Sequence, residues 1–68
     1  MSVQVRLNGE TRDLPEGTTL EAAVAVLTAA PAGIAAAVNG DVVPRGSWAL
    51  TALRDGDQVE VVTAVQGG

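Results

Sequence analysis

Cysteine and histidine are both absent from the 68-residue sequence. Their absence excludes disulfides, thiolate zinc sites, cysteine-bound iron–sulfur clusters and any catalysis that uses an imidazole. Asp55 and Asp57 flank Gly56, a spacing typical of turn residues. General acid–base catalysis needs carboxylates that converge on a pocket, and this spacing does not indicate one. We therefore expect no metal site and no acid–base catalysis by these carboxylates.

Aromatic residues are almost as scarce, because Trp48 is the only one and both phenylalanine and tyrosine are absent. A chain of this length forms one small domain that buries about 60% of its unfolded surface, so its core must be built from aliphatic side chains. The only aromatic residue of such a domain more often belongs to the core than to a binding surface. We expect Trp48 to be buried.

Lysine is also absent, and four arginines oppose eight acidic residues for a net charge of −4. A nucleic-acid-binding domain would instead carry a basic patch, so we expect no nucleic-acid partner. An acidic surface suits docking onto a basic surface of a partner protein, although solubility alone also accounts for it. Within the chain, we expect Arg45 to pair with Asp55 or Asp57.

The apolar segments are too short to span a bilayer. Ser2–Asn8 alternates apolar and polar residues instead of forming the apolar block of a signal peptide. We therefore expect a cytoplasmic protein that does not bind membranes. We also expect it to be monomeric when free.

Two segments on either side of Asn8-Gly9 predict a β-hairpin at the start of the domain. Val3–Leu7 alternates apolar with polar or charged side chains, the period-2 pattern of a half-buried strand. Asn-Gly is the strongest short hairpin signal. Glu10–Leu14 is the predicted return strand, and Pro15-Glu16-Gly17 ends it.

One amphipathic helix is predicted over Thr19–Ala30. The segment is rich in alanine, which favours helix, and Thr18 and Thr19 suit its N-terminus. Pro31 and Gly33 would stop it. The apolar residues at helical spacing, which must cover a sheet, are Leu20, Ala23, Val24 and Leu27.

The rest of the chain predicts three more strands and a connector. Turn signals at Asn39-Gly40-Asp41 and Asp55-Gly56-Asp57 separate these segments. The segments are strands Ile34–Val38, Val42–Val43 and Gln58–Thr63, with a single helical turn within Ser47–Leu53. One helix can bury its apolar face only against one face of a sheet. Residues 1–63 are therefore predicted to form an α+β domain, a mixed sheet of four to five strands wrapped around one helix.

Residues 64–68 are predicted to form a flexible C-terminal tail that closes with Gly67-Gly68. In extended form these five residues span roughly 15–17 Å, long enough to carry the α-carboxylate of Gly68 into a buried active site. Glycine has no side chain, so the backbone can enter a narrow channel. A frayed Gly-rich terminus is a common alternative, and the tail alone does not decide between the two.

Several motifs in this chain occur together in one known family. They are Val38-Asn39, Val42-Val43-Pro44-Arg45, Trp48, Asp55-Gly56-Asp57-Gln58-Val59 and Gly67-Gly68. With the order of the predicted elements, they resemble the ThiS family, the sulfur carriers of thiamin thiazole biosynthesis, which have the ubiquitin-like β-grasp fold. The resemblance covers the whole chain and is densest from Val38 onward. The chain departs from the family in its alanine-rich helix, in Ala36 where a larger aliphatic residue is expected, and in Gln66 before the glycines.

The resemblance implies that the chain is a protein co-substrate and not an enzyme. An E1-like adenylyltransferase of the ThiF type would activate the Gly68 carboxylate with ATP, and the chain itself would bind no cofactor. A persulfide donor would then supply sulfur to form a thiocarboxylate, and a thiazole synthase of the ThiG type would accept that sulfur. Gly68 is thus the expected reacting residue. The expected partner-binding residues are Val62, Ala64, Val65, Gln66 and Gly67. Val62 is opposite in phase to Val59 and Val61 on the predicted last strand, so we expect it to face outward.

Three alternatives remain open from the sequence. The small subunit of molybdopterin synthase uses the same thiocarboxylate chemistry on another acceptor, although such chains are usually longer and contain more aromatic residues. A ubiquitin-like modifier would join Gly68 to lysine through an isopeptide bond. A β-grasp interaction module would not use the tail.

Overall fold

The computed structural model of the chain describes residues 1–27 and 33–63. In this part of the chain, five strands, one α-helix and a 3-10 helix follow one another. Their bounds are β1 Ser2–Leu7, β2 Glu10–Pro15, α1 Leu20–Leu27, β3 Ile34–Val38, β4 Asp41–Val43, the 3-10 helix Arg45–Leu50, and β5 Gln58–Thr63. Neither helix in the described residues has the length and apolar character that crossing a membrane would require.

The five strands form one mixed sheet in the order β2-β1-β5-β3-β4. β1 and β5 lie parallel at its centre, while the other neighbouring pairs are antiparallel. The core lies between α1 and one face of this sheet, where side chains from both are buried. The predicted mixed sheet against one helix is confirmed.

Both predicted Asn-Gly turns are present and have nearly the same geometry. Asn8 and Asn39 each have a φ of 52°, and Gly9 and Gly40 have φ values of 86° and 87°. Positive φ at both central residues is typical of the two-residue turn that matches the twist of a β-hairpin. These turns join β1 to β2 and β3 to β4.

The Asn39 side chain also holds the start of β5. Its Oδ1 accepts a hydrogen bond from the Gln58 backbone N–H at 3.0 Å, and its Nδ2 donates to Asp57 Oδ1 at 3.0 Å. Asp57 Oδ2 accepts from the Arg54 N–H at 2.8 Å. Asp55 Oδ1 accepts from the Gln4 N–H at 2.7 Å. Both carboxylates therefore lie at the predicted turn, where Asp57 bonds to backbone inside the turn and Asp55 joins the turn to β1.

The helix begins at Leu20, where the Thr19 Oγ1 accepts a hydrogen bond from the Ala22 N–H at 3.2 Å. This is the usual position of an N-capping threonine. The predicted apolar stripe is confirmed: Leu20, Ala23 and Val24 are buried, and Leu27 is half-buried against the core. The predicted continuation from residue 28 to Ala30 lies outside the described residues.

Trp48 is only 2% exposed, and its indole Nε1 donates a hydrogen bond to the Val43 carbonyl at 2.8 Å. The prediction that it belongs to the core is confirmed. The hydrogen bond allows the polar edge of the ring to be buried without the desolvation cost of an unpaired donor.

The connector around Trp48 differs from the prediction. The 3-10 helix begins at Arg45, directly after Pro44, and not at Ser47, since the Ser47 N–H donates to the Pro44 carbonyl at 2.8 Å. It ends at Leu50 and does not reach Leu53. The chain is extended at Thr51, and the Leu53 N–H donates to the Thr18 carbonyl at 2.8 Å instead of to the helix.

The expected ion pair between Arg45 and Asp55 or Asp57 is wrong. The Arg45 guanidinium carbon lies 5.0 Å from the centre of the Trp48 ring, within the range of a cation–π contact. Across residues 1–27 and 33–63, the one salt bridge joins Arg12 to Glu10 at 3.3 Å. The Arg45 guanidinium thus stacks on Trp48, while the carboxylates of Asp55 and Asp57 accept backbone hydrogen bonds instead of pairing with Arg45.

Candidate functional site

β5 positions the candidate site, because it leads directly into residues 64–68. It is an interior strand with β1 on one side and β3 on the other. Of the predicted site residues, Val62 lies on β5 and is described. The others, Ala64, Val65, Gln66, Gly67 and Gly68, lie outside the described residues.

The two neighbours support β5 over different lengths. β3 pairs with it along five residue pairs, from Val38 opposite Val59 to Ile34 opposite Thr63. β1 pairs with it only at Gln58 and Val59, because β1 ends at Leu7 where the chain turns away. On the β1 side, the second half of β5 therefore lies beyond the strand that supports its first half.

The Asn8 side chain extends this support from Val59 to Val61. Its backbone N–H donates to the Val59 carbonyl at 2.9 Å, which continues the β1–β5 ladder. Its carboxamide then pairs with Val61: Oδ1 accepts from the Val61 N–H at 2.8 Å, and Nδ2 donates to the Val61 carbonyl at 3.1 Å. A carboxamide carries the same donor and acceptor types as a peptide group, so it occupies the place of a further strand residue.

Val62 lies on the face of the sheet that points away from α1 and is 59% exposed. The prediction that it faces outward, opposite to Val59 and Val61, is confirmed. Its cross-strand partner is Ala35. On the same face, Ala37 lies opposite Glu60 on one side and opposite Val42 on the other. We call Ala35, Ala37, Val42 and Val62 the outer patch.

Sequence reasoning missed three residues of the outer patch: Ala35, Ala37 and Val42. Ile34–Val38 is apolar throughout, so no alternation of polar and apolar residues shows which side chains face outward. The turn could have supplied the signal. A two-residue Asn39-Gly40 loop fixes Val38 opposite Asp41, and hence Ala37 opposite Val42 on one face. Val42 is 73% exposed, more than Val62.

The described residues form a sheet that supports β5 and an exposed surface, the outer patch. None of their buried side chains is polar or charged, apart from the indole of Trp48. Within residues 1–27 and 33–63, no three acidic, histidine or cysteine side chains come together as a metal site would need. The arrangement can present the outer patch, with the exposed Glu60 on the same face, and hold the strand from which the tail departs.

Comparison with known proteins gives one consistent family. The model of the ThiS family matches residues 5–68. The sulfur carrier protein ThiS of Escherichia coli is 32% identical over 66 residues, which are 97% of this chain and 100% of that protein.

Two longer proteins are also similar. The thiazole synthases of Magnetococcus marinus and Paramagnetospirillum magneticum are 39% and 36% identical, over 97% and 91% of this chain. The chain spans only 20% and 19% of their lengths. Each of these synthases therefore contains a segment similar to nearly all of this chain.

The fold has a solved counterpart. The crystal structure of the thiamine biosynthesis protein ThiS from Geobacter metallireducens superposes with a TM-score of 0.79 and 26% sequence identity. The match covers 97% of this chain and 100% of that one. This likeness confirms the ubiquitin-like β-grasp fold that the sequence predicted.

Proposed function

This chain belongs to the ThiS family of sulfur carrier proteins, and we propose that it carries sulfur as a thiocarboxylate on Gly68. The observation that carries the proposal is the likeness to the Escherichia coli sulfur carrier protein over that protein's whole length. The family match also runs through Gly67 and Gly68. In this proposal the chain is a small carrier on which partner enzymes act.

Adenylation is the first step of the proposed chemistry. A carboxylate is a poor electrophile, so an adenylating enzyme of the ThiF type would transfer AMP from ATP to the Gly68 carboxylate and release pyrophosphate. ATP is thus used by the partner, which must supply the ligands for the phosphates and magnesium. We place this reaction in the cytoplasm, where ATP is available.

Sulfur transfer is the second step. The terminal sulfur of a persulfide attacks the acyl-adenylate and displaces AMP, which gives an acyl disulfide. A second thiol then attacks the donor's sulfur and forms a disulfide with it, which breaks the bond to the carrier and releases the thiocarboxylate on Gly68. The carrier contributes only the carboxylate and its placement, which suits a chain without cysteine or histidine.

We propose a thiazole synthase of the ThiG type as the enzyme that accepts the sulfur. Two proteins named thiazole synthase contain a segment similar to this chain. A carrier segment within a synthase would keep the sulfur donor close to the enzyme that consumes it. This observation favours thiazole formation over the molybdopterin alternative.

The outer patch is the proposed docking surface beside the tail. Val62 lies in it, six residues before Gly68, and Val42 extends it to the edge of the sheet. Val42 and Val62 expose apolar side chains on one face of the sheet, next to Glu60, and exposed apolar side chains that group together are a feature of protein-binding surfaces. We propose that a partner contacts this face while its active site receives Ala64, Val65, Gln66 and Gly67.

The intact mass of the protein, purified from its own cells under thiamin starvation, tests the proposal. We expect one C-terminal oxygen to be replaced by sulfur, with fragmentation locating the change at Gly68. Incubation of that form with thiazole synthase, and separately with the large subunit of molybdopterin synthase, would identify the acceptor. Isopeptide bonds to lysines of other proteins would instead make the chain a modifier, and an unmodified carboxylate throughout would contradict the carrier role.

A further inference from the structure

We propose that Asn8 is a positioning residue that fixes where the C-terminal tail leaves the sheet. This role rests on the proposed function, because it matters only if a partner must receive the Gly68 carboxylate at a defined point. The observations that carry it are the two hydrogen bonds between the Asn8 carboxamide and the backbone of Val61.

This contact lies near the end of β5, so it affects where the tail begins. Val61 is the last residue of β5 that is bonded from the β1 side within the described residues, and Thr63 ends the strand. Gly68 is the seventh residue after Val61, a reach of about 23–25 Å when extended. A shift of β5 at Val61 therefore moves the point from which residues 64–68 start, and with it the positions that the carboxylate can reach.

A turn residue without this side chain would leave Val61 unsupported on the β1 side. β1 reaches only Val59, and the Asn8 backbone bonds to Val59 and not to Val61. The β3 side alone would then hold the last residues of β5. Asn8 thus has two separable roles: its positive φ makes the hairpin turn, and its carboxamide holds Val61.

Asn39 provides an internal comparison. It has the same φ of 52° in the same kind of Asn-Gly turn, and its carboxamide also bonds to β5. Its contact is with Gln58, at the opposite end of the strand from the tail. The two asparagines therefore differ in which end of β5 they hold.

The test compares Asn8→Gly with Asn39→Gly. Glycine adopts positive φ readily, so both turns are kept while each carboxamide is removed. The ThiF-type adenylating enzyme of the same organism is assayed by ATP–pyrophosphate exchange with each variant as substrate. Backbone hydrogen exchange of the Val61 amide, measured without any enzyme, reports the contact directly.

We expect Asn8→Gly to accelerate exchange at Val61 and to lower kcat on the order of tenfold, with KM within about twofold of the wild type, since only the placement of the carboxylate changes. Asn39→Gly should leave both kcat and KM near the wild-type values. Asn8→Asp is a second variant, which keeps an acceptor for the Val61 N–H but loses the donor, and we expect an intermediate kcat.

Three results would overturn part of the argument. Unchanged exchange at Val61 in Asn8→Gly would show that the carboxamide does not hold β5. Faster hydrogen exchange at Val61 in Asn8→Gly with an unchanged kcat would contradict the positioning role, but it would leave the proposed carrier function intact. A wild-type chain that supports no exchange of pyrophosphate would instead overturn the proposed function.

Discussion

Deletion of Gly68 tests whether the position of the terminal carboxylate matters in addition to its chemistry. The shortened chain still ends in a glycine carboxylate, but this group lies about 3.5 Å short of its original reach. Acyl transfer needs the reacting atoms within about 3–3.5 Å of each other. We therefore expect the deletion to abolish adenylation in the ATP–pyrophosphate exchange assay while the circular dichroism spectrum and melting temperature stay unchanged. An active truncated protein would contradict the proposed reacting group.

Trp48 illustrates how one polar contact stabilises a largely apolar core. Trp48→Phe removes the indole N–H that binds the Val43 carbonyl and also leaves space in the core. We expect the free energy of unfolding to fall by about 2–4 kcal/mol, measured by urea denaturation followed by circular dichroism. Leu50→Ala, in the same 3-10 helix, is the control. Leu50 is 85% exposed, so this change should stay within about 0.5 kcal/mol of the wild type.

At the scale of the elements, α1 contains two valines, one buried and one exposed, at which the same substitution can be compared. Val24 is 1% exposed and faces the sheet, whereas Val26 is 48% exposed. Both Val→Ala changes raise helix propensity by a similar amount. We expect Val24→Ala to lower the free energy of unfolding by about 2–3 kcal/mol and Val26→Ala to leave it nearly unchanged, again by urea denaturation. Equal effects would show that the predicted helix face is wrong.

The elements that are specified by residues close together in sequence were predictable. The Asn-Gly turns, the alternation in β1 and the apolar spacing in α1 are all local patterns, and each corresponds to an observed element. The connector was less predictable. Its extent depends on the hydrogen bond from Leu53 to Thr18, a contact across 35 residues that no local pattern indicates.

The candidate site was predictable only in part for the same reason. Val62 could be placed on the outward face from the phase of β5 alone. The rest of the outer patch depends on which strands lie beside β5, and the contact between Asn8 and Val61 depends on the parallel pairing of β1 with β5. Parallel pairing joins segments far apart in sequence, and composition does not specify it.

For the whole molecule, the strand order brings both hairpins to the strand that precedes the tail. β5, the last strand in sequence, lies between β1 of the first hairpin and β3 of the second. Each hairpin turn then contributes one asparagine side chain to β5. The fold thus gives the tail a fixed origin next to the outer patch, whose residues come from β3, β4 and β5.

The outer patch and the tail should affect different kinetic constants if the patch docks the partner. Val42 lies on β4, away from the tail, and is 73% exposed, so Val42→Thr keeps a β-branched side chain and should not disturb the fold. Burying the new hydroxyl without a partner costs about 1–3 kcal/mol. We therefore expect KM for the adenylating enzyme to rise on the order of tenfold with kcat unchanged. Leu50→Thr is the matched control, because Leu50 is more exposed but lies in the 3-10 helix that contacts α1, outside the outer patch. A KM that rises equally in both variants, or in neither, would show that the partner docks elsewhere.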